Sequence, residues 1–224
     1  MPGIGGAAAA GRFITLEGPD GSGKTSHARQ LADALRAHGR DVLLTREPGG
    51  TPLGERLRDI LNSPSGPPIE PLAEALLFSS ARAEHVADVI RPALRAGRVV
   101  VCARYADSTL AYQGYGSGQS VDVLRRIQEI ATGGLWPDRT LLLDLPADVG
   151  LGRKGPDEHT RFEVGFDLDY HRRVRAGFLE LAAADPTRWV VIDADRDPGR
   201  VFDDVLAAAL AALDEPEPVS LRMR

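Results

Sequence analysis

The stretch GPDGSGKT, Gly18 to Thr25, limits the folds open to this chain more than any other feature. It follows RFITLE (Arg12 to Glu17), a short and mostly apolar run of the kind that is covered on both faces in a parallel sheet. It precedes a helical pattern from Thr25 to His38 that stops at Gly39. Strand, glycine-rich octet and helix in that order fit the P-loop pattern, against the alternative of a glycine-rich turn that happens to precede a helix. The glycines let backbone amides turn inward around phosphate oxygens, and the helix N-terminus adds partial positive charge. On this reading Gly18, Pro19, Asp20, Gly21, Ser22 and Gly23 form the cradle, Lys24 reaches the β and γ phosphates, and Thr25 ligates Mg²⁺. The octet implies a bound nucleoside triphosphate.

Four more apolar runs extend the sheet: 41–45, 98–102, 140–145 and 188–193. Helical patterns lie between them, over 71–96, 121–131 and roughly 167–184, the first two followed closely by Gly97 and Gly133. Alternating strands and helices predict an α/β doubly wound fold. SPSGPP (Ser63 to Pro68) reads as a loop inside one domain of about 12–214. The polar, glycine-bounded segment 152–165 interrupts the pattern as a mobile lid would. Residues 1–11 read as a loose extension rather than a signal peptide, and 215–224 as a frayed tail.

A formal net charge of −5 argues against a nucleic-acid or membrane-surface binder, which would need a basic face. No apolar run reaches the roughly 20 residues that span a bilayer. Cys102 is the single cysteine, which excludes an intrachain disulfide and suits a reducing cytoplasm; inside an apolar run it reads as packing. Only Lys24 and Lys154 among 27 basic residues are lysine, so the one in the glycine-rich turn stands out. Neither is preceded by asparagine, as the base-reading motif of a guanine-specific switch would require. A motor ATPase would need a longer chain and a strongly acidic strand end, which only Asp144 approaches.

A kinase needs a second pocket in which fixed cations hold the acceptor in line with the donor phosphate. Candidates lie in TREPGGTPLGERLRDIL (45–61), ALLFSSARAEH (75–85) and ARYADSTLAYQG (103–114), each near the carboxyl end of an expected strand. With LEGPDGSGKT and TRFE (160–163), these segments in this order make the chain resemble the thymidylate kinases over nearly all of 12–210.

The resemblance implies a P-loop fold with a five-stranded parallel sheet, a homodimer, and transfer of phosphate from ATP to dTMP with Mg²⁺. It also implies roles. Arg104 and Arg58 hold the acceptor phosphate, a use that suits a planar, permanently charged fork. Phe78 stacks on thymine, Arg82 and Gln113 read the base edge, and Thr109 supports that edge. Tyr112 crowds the 2′ position of the sugar, while Asp20 and Glu47 lie near the sugar hydroxyl and the metal. Gly21 stands where some members carry an arginine, which assigns transition-state cations to the lid residues Arg153, Lys154 and Arg161. Read without the resemblance, Phe78 and Tyr112 are also suitable core aromatics, Arg82 and the lid cations suit a solvated face, and Glu47 and Asp107 suit caps.

Two places depart from the family pattern: Thr160 precedes Arg161 where aspartate is usual, and Ala103 precedes Arg104 where the family has an aspartate that helps position the metal. Ala103 predicts slowed transfer, with Asp107 as a partial substitute. It also keeps open a nucleotide-binding protein that has lost catalysis, beside the other alternative of a different P-loop nucleoside monophosphate kinase.

Overall fold

The computed structural model describes residues 11–63, 65–153 and 165–215. Five strands form one parallel sheet: β1 (Arg12–Glu17), β2 (Val42–Arg46), β3 (Val99–Ala103), β4 (Arg139–Asp144) and β5 (Trp189–Asp193). Their order, β2-β3-β1-β4-β5, places β1 in the middle. The chain leaves β1 for the β2 edge, returns to β3, and then crosses to β4 on the other side. The strand order therefore reverses at β1 and β3, and a crevice opens beyond their carboxyl ends, where doubly wound sheets bind ligands.

The continuous apolar runs have the physical cause expected of them, because helices cover both faces. On one face, Ile14, Leu16, Val99, Val101, Leu141 and Leu143 pack on α1 (Lys24–Ala37) and on a helix at Pro198–Asp214. On the other, Phe13, Val100, Cys102 and Leu142 meet the remaining helices. Among these are α2 (Pro52–Asn62), α3 (Pro71–His85), α4 (Arg91–Arg95), α5 (Ala106–Thr109), α6 (Val121–Thr132) and α7 (Ala147–Arg153), followed by α8 (Leu168–Ala184); the helix at Pro198–Asp214 is then α9. No helix among the described residues is long and apolar enough to cross a membrane.

The expected strands lie within one or two residues of those observed. The pattern over 71–96 is a single rod, but it passes through a π-helical turn at Val86–Ile90 before Pro92. A proline ring clashes with the carbonyl four residues back and donates no hydrogen bond, so a wider turn just ahead of it accommodates both defects. Helices α2, α5, α7 and α9 were not among the expected elements. Two of them carry entry signals: Thr51 caps α2 through Gly54 N (3.0 Å) and Asp197 caps α9 through Gly199 N (3.0 Å), each followed by proline at the first helical position.

Gly11, placed by the sequence in the extension, donates its N–H to Leu94 O at 3.1 Å. The rest of that extension and residues 216–224 lie outside the described residues.

Candidate active site

Gly18, Gly21 and Gly23 all adopt positive φ between β1 and α1. Gly21 also meets a close neighbour, since a Cβ there would lie 2.0 Å from Gly150 O in the middle of α7. The loop thus lies backbone to backbone against α7. Lys24 is buried, and its Nζ donates to Gly18 O (2.9 Å) and Pro19 O (2.6 Å) across the loop. Thr25 and Ser26 open the exposed first turn of α1 and line the cleft.

Beside this loop β3 ends, and the chain makes a turn that the sequence did not announce. Arg104 has φ 68°, a left-handed conformation that costs a non-glycine residue energy and persists only where its surroundings fix it. Three bonds do so: Arg104 N donates to Leu16 O (3.0 Å), Cys102 Sγ to Arg104 O (3.0 Å), and Tyr105 N to Glu17 Oε1 (2.7 Å).

Arg104 itself pairs with Asp20 of the P-loop and lies 5.0 Å over the Tyr112 ring, while Tyr112 Oη donates to Asp20 Oδ2 at 3.0 Å. Burial works against the Arg104 cation, but Tyr112 and Asp20 outweigh it and hold the guanidinium above the ordinary arginine range. Burial likewise pushes the Tyr112 hydroxyl up, so it stays protonated and able to donate.

Glu17 is fully buried and also accepts from Ser108 Oγ at 2.6 Å. Burial, reinforced by the Asp107 charge, pushes its carboxyl up to about 7 against the pull of those hydrogen bonds and of Arg104.

On α3, Glu74, Phe78 and Arg82 recur every fourth residue and so share one stripe. Arg82 is 2% exposed. Its Nε donates to Glu47 Oε2 (2.7 Å), Nη1 to Thr109 Oγ1 (3.1 Å) and to Gln128, and Nη2 to Tyr105 O (2.9 Å). Four of its five N–H groups are thereby engaged, and Arg82 lines the cleft.

Across from α3, the chain after α5 winds as a π helix over Leu110–Gly116, which carries Tyr112 and Gln113. Such turns are uncommon and collect at functional sites. Gly116 is needed here because a Cβ would lie 2.7 Å from the Tyr170 ring on α8.

These elements enclose a cleft of about 440 Å³. It brings together Asp20, Gly21, Gly23, Lys24 and Thr25 with the whole expected acceptor set of Glu47, Arg58, Phe78, Arg82, Arg104, Thr109, Tyr112 and Gln113. Gly18, Pro19 and Ser22 shape the loop from behind. Arg58 donates to Pro48 O at 2.9 Å; burial and then Arg46 weaken its hold on its proton. Arg153 also lines the cleft, tethered to Ala194 O (3.1 Å) and Asp195 (3.2 Å). Lys154 and Arg161 lie outside the described residues, as does most of the expected lid.

Three carboxylates have partners that bear on the metal. Glu47 accepts from Arg82 and from His85 Nδ1 at 3.0 Å, so it is not a helix or turn cap. Asp107 is not positioned as a substitute for the missing aspartate: it is fully buried and takes a bidentate fork from Arg188 at 2.6 and 3.0 Å. Asp144 is likewise forked by Arg175, at 2.8 Å on each oxygen. No three His, Cys, Asp or Glu side chains converge on a metal position among the described residues.

Five polar residues of the site were given no role from the sequence: Glu17, Ser26, Asn62, Glu74 and Ser108. Only Glu17 carried a signal, as an acid closing an otherwise apolar strand.

The thymidylate kinase family model matches residues 16–205. The chain is 53% identical over 196 residues to a thymidylate kinase of Thermomicrobium roseum, covering 87% of this chain and 92% of that one. It is 51% identical over 201 residues to one of Deinococcus radiodurans, covering 88% and 96%. The solved structure of thymidylate kinase from Ehrlichia chaffeensis is similar with a TM-score of 0.73 at 34% identity, covering 89% of this chain and 99% of that one.

Proposed function

The chain belongs to the thymidylate kinase family, and from that premise we propose that it transfers the γ-phosphoryl group of ATP to dTMP, giving ADP and dTDP. One observation carries this reading: a phosphate loop with Lys24 and Thr25 opens into the same cleft as the Arg104 and Arg58 cations and the Phe78, Arg82 and Gln113 base pocket. In the reaction an oxygen of the dTMP phosphate forms the new bond to Pγ, and the bond from Pγ to the bridging oxygen of ADP breaks.

Little covalent work falls to the protein, so its contribution is placement and charge. The loop amides and Lys24 hold the donor. Lys24 has to exchange loop carbonyls for phosphate oxygens as ATP binds. Arg104, braced by Asp20 and Tyr112, holds the acceptor phosphate from the other side, with Arg58 beside it. Arg153, with Lys154 and Arg161, supplies charge to the transition state.

Thr25 fits a Mg²⁺ carried mainly by nucleotide phosphates and water, the usual mode for this ion, and Mg²⁺ would supply charge neutralisation at the β and γ oxygens. Glu47 lines the cleft as a carboxylate candidate, as does Asp20, although both Glu47 oxygens are already engaged and Asp20 pairs with Arg104. Ala103 is on the α1 side of the sheet, at the end of the strand beside the loop. An aspartate there would face the metal side, and none of Asp107, Asp144 or Glu47 is free of a cationic partner. Transfer is therefore slowed.

A coupled ADP-release assay with dTMP present and absent, and with dUMP, CMP and AMP each as an alternative acceptor, tests the activity. Higher turnover with another monophosphate would overturn the substrate assignment. Ala103→Asp should raise turnover by at least about tenfold, which is about 1.4 kcal/mol in the barrier, and should lower the Mg²⁺ concentration giving half-maximal rate. No gain at saturating Mg²⁺ would show that other groups hold the metal.

A homodimer is also part of the reading. Leu53 and Ile60 on α2, Leu72 and Leu76 on α3, and Val123 and Ile130 on α6 are exposed on neighbouring helices. A second copy would cover such apolar area. With one buried cysteine, a cytoplasmic location suits the chain.

A further inference from the structure

Gln113 sits in the π turn and is 1% exposed, yet it lines the cleft. Its Nε2 donates to Glu74 Oε2 at 2.8 Å, and Glu74 is itself 2% exposed. With Glu74 as the acceptor, the amide turns its NH₂ end toward that carboxyl group. The carbonyl end is then directed elsewhere. Gln113 Oε1 accepts no bond among the described residues, and it is not among their sealed, unpartnered polar atoms.

Gln113 and Arg82 both line the cleft, so a ligand there meets an acceptor from Gln113 together with the remaining N–H donor of Arg82. Thymine presents N3–H and the carbonyl at position 4, which complements that order. Cytosine presents an acceptor at N3 and an amino group at position 4, which reverses both.

We propose that Glu74 is the positioning residue that makes the site select a thymine-type base over cytosine, by fixing the orientation of the Gln113 amide. The inference rests on the reading of Gln113 as a base-edge contact and extends it to a residue that need never touch the substrate. Its force comes from the burial of the pair: with both side chains almost wholly out of solvent, reversing the amide would leave a buried bond unmade, which is costly. A comparable arrangement occurs two turns further along the stripe, where Gln128, Thr109 and Glu47 fix Arg82.

Calorimetric titration of the full chain with dTMP and with dCMP tests this without relying on turnover. Glu74→Gln preserves shape but can donate as well as accept, so Gln113 is released to adopt either orientation. The ratio of dCMP to dTMP dissociation constants should fall by about tenfold, with ATP affinity unchanged, and Glu74→Asp, which keeps a carboxylate, should retain most of the selectivity. A purely structural role for Glu74 would weaken both monophosphates alike and leave the ratio in place, which would overturn the proposal, as would loss of selectivity in Glu74→Asp equal to that in Glu74→Gln. Gln113→Ala separates the two levels. If it leaves dTMP affinity unchanged, the base-edge reading of Gln113 fails. If it weakens dTMP while Glu74→Gln keeps the ratio, only the role of Glu74 falls.

Discussion

Glu17→Gln should make the protein more resistant to alkaline pH, although it alters a residue next to the phosphate loop. Glu17 has no solvent exposure, and its carboxyl titrates at about 7 rather than the ordinary 4.5, because burial and then Asp107 disfavour the charged form. The sign follows from proton counting. Between those two values the folded chain holds a proton on Glu17 that the unfolded chain has released, so stability falls as pH rises through this window and levels off above 7. Integrated from pH 5 to pH 8, the loss from this one group is roughly 2 to 3 kcal/mol, or about 5–10 °C in melting midpoint for a chain of this size.

Glutamine carries no charge to bury and keeps the contacts: its carbonyl can accept from Tyr105 N, and its amide can donate to the Ser108 hydroxyl, which rotates to accept. The assay is a set of thermal melts of both proteins from pH 5 to pH 8. The midpoint of Glu17→Gln relative to the parent should rise across the series by that amount, whatever other groups titrate in both. A constant difference across the range would refute the argument, since it would mean that Glu17 is already ionised in the fold at pH 5.

Three further outcomes follow from the same contacts. Lys24→Ala should abolish phosphoryl transfer in an ADP-release assay, with a small drop in melting midpoint because Lys24 Nζ also ties Gly18 and Pro19; normal turnover would contradict the phosphate-loop role. Arg188→Ala strands a fully buried Asp107 carboxylate and should cost about 3–5 kcal/mol in urea denaturation. Removing Asp107 as well should recover part of that, and no recovery would show that the charge is not the cause. Arg82→Ala should weaken dTMP by about 1–3 kcal/mol with ATP affinity little changed, and an equal loss for both nucleotides would show that its four internal bonds hold the whole cleft rather than the base pocket.

The sheet was legible in the sequence because its strands are buried on both faces and therefore read as unbroken apolar runs, a pattern that needs no knowledge of neighbours. The phosphate loop was legible for a similar reason: its backbone geometry demands glycine at positions such as Gly21, where Gly150 leaves no room for a side chain. The π-helical stretch Leu110–Gly116 was not. It contains two tyrosines and two glycines, poor local helix formers, and its winding is set by contacts with α6 and α8 from distant parts of the chain, including the close approach of Gly116 to Tyr170.

Single charged residues divide in the same way. Lys24 and Arg104 were found because the groups that need them lie in the same short motif. Asp107 was misplaced because its partner Arg188 lies 81 residues away in sequence. From sequence it sits one helical turn beyond Arg104 and could face the metal; in the fold a bidentate cation, braced by Thr140 at 2.9 Å, holds it on the far side of the sheet's central strands. Glu74 was missed for the complementary reason: its partner Gln113 is 39 residues away, and a buried acid at that helical position is indistinguishable from a solvated one until the opposing element is known. The cation that neutralises Asp107 and the amide that Glu74 orients both come from afar. On the proposed reading Ala103 finds no ready substitute in Asp107, Asp144 or Glu47, because each is already held by a cationic partner.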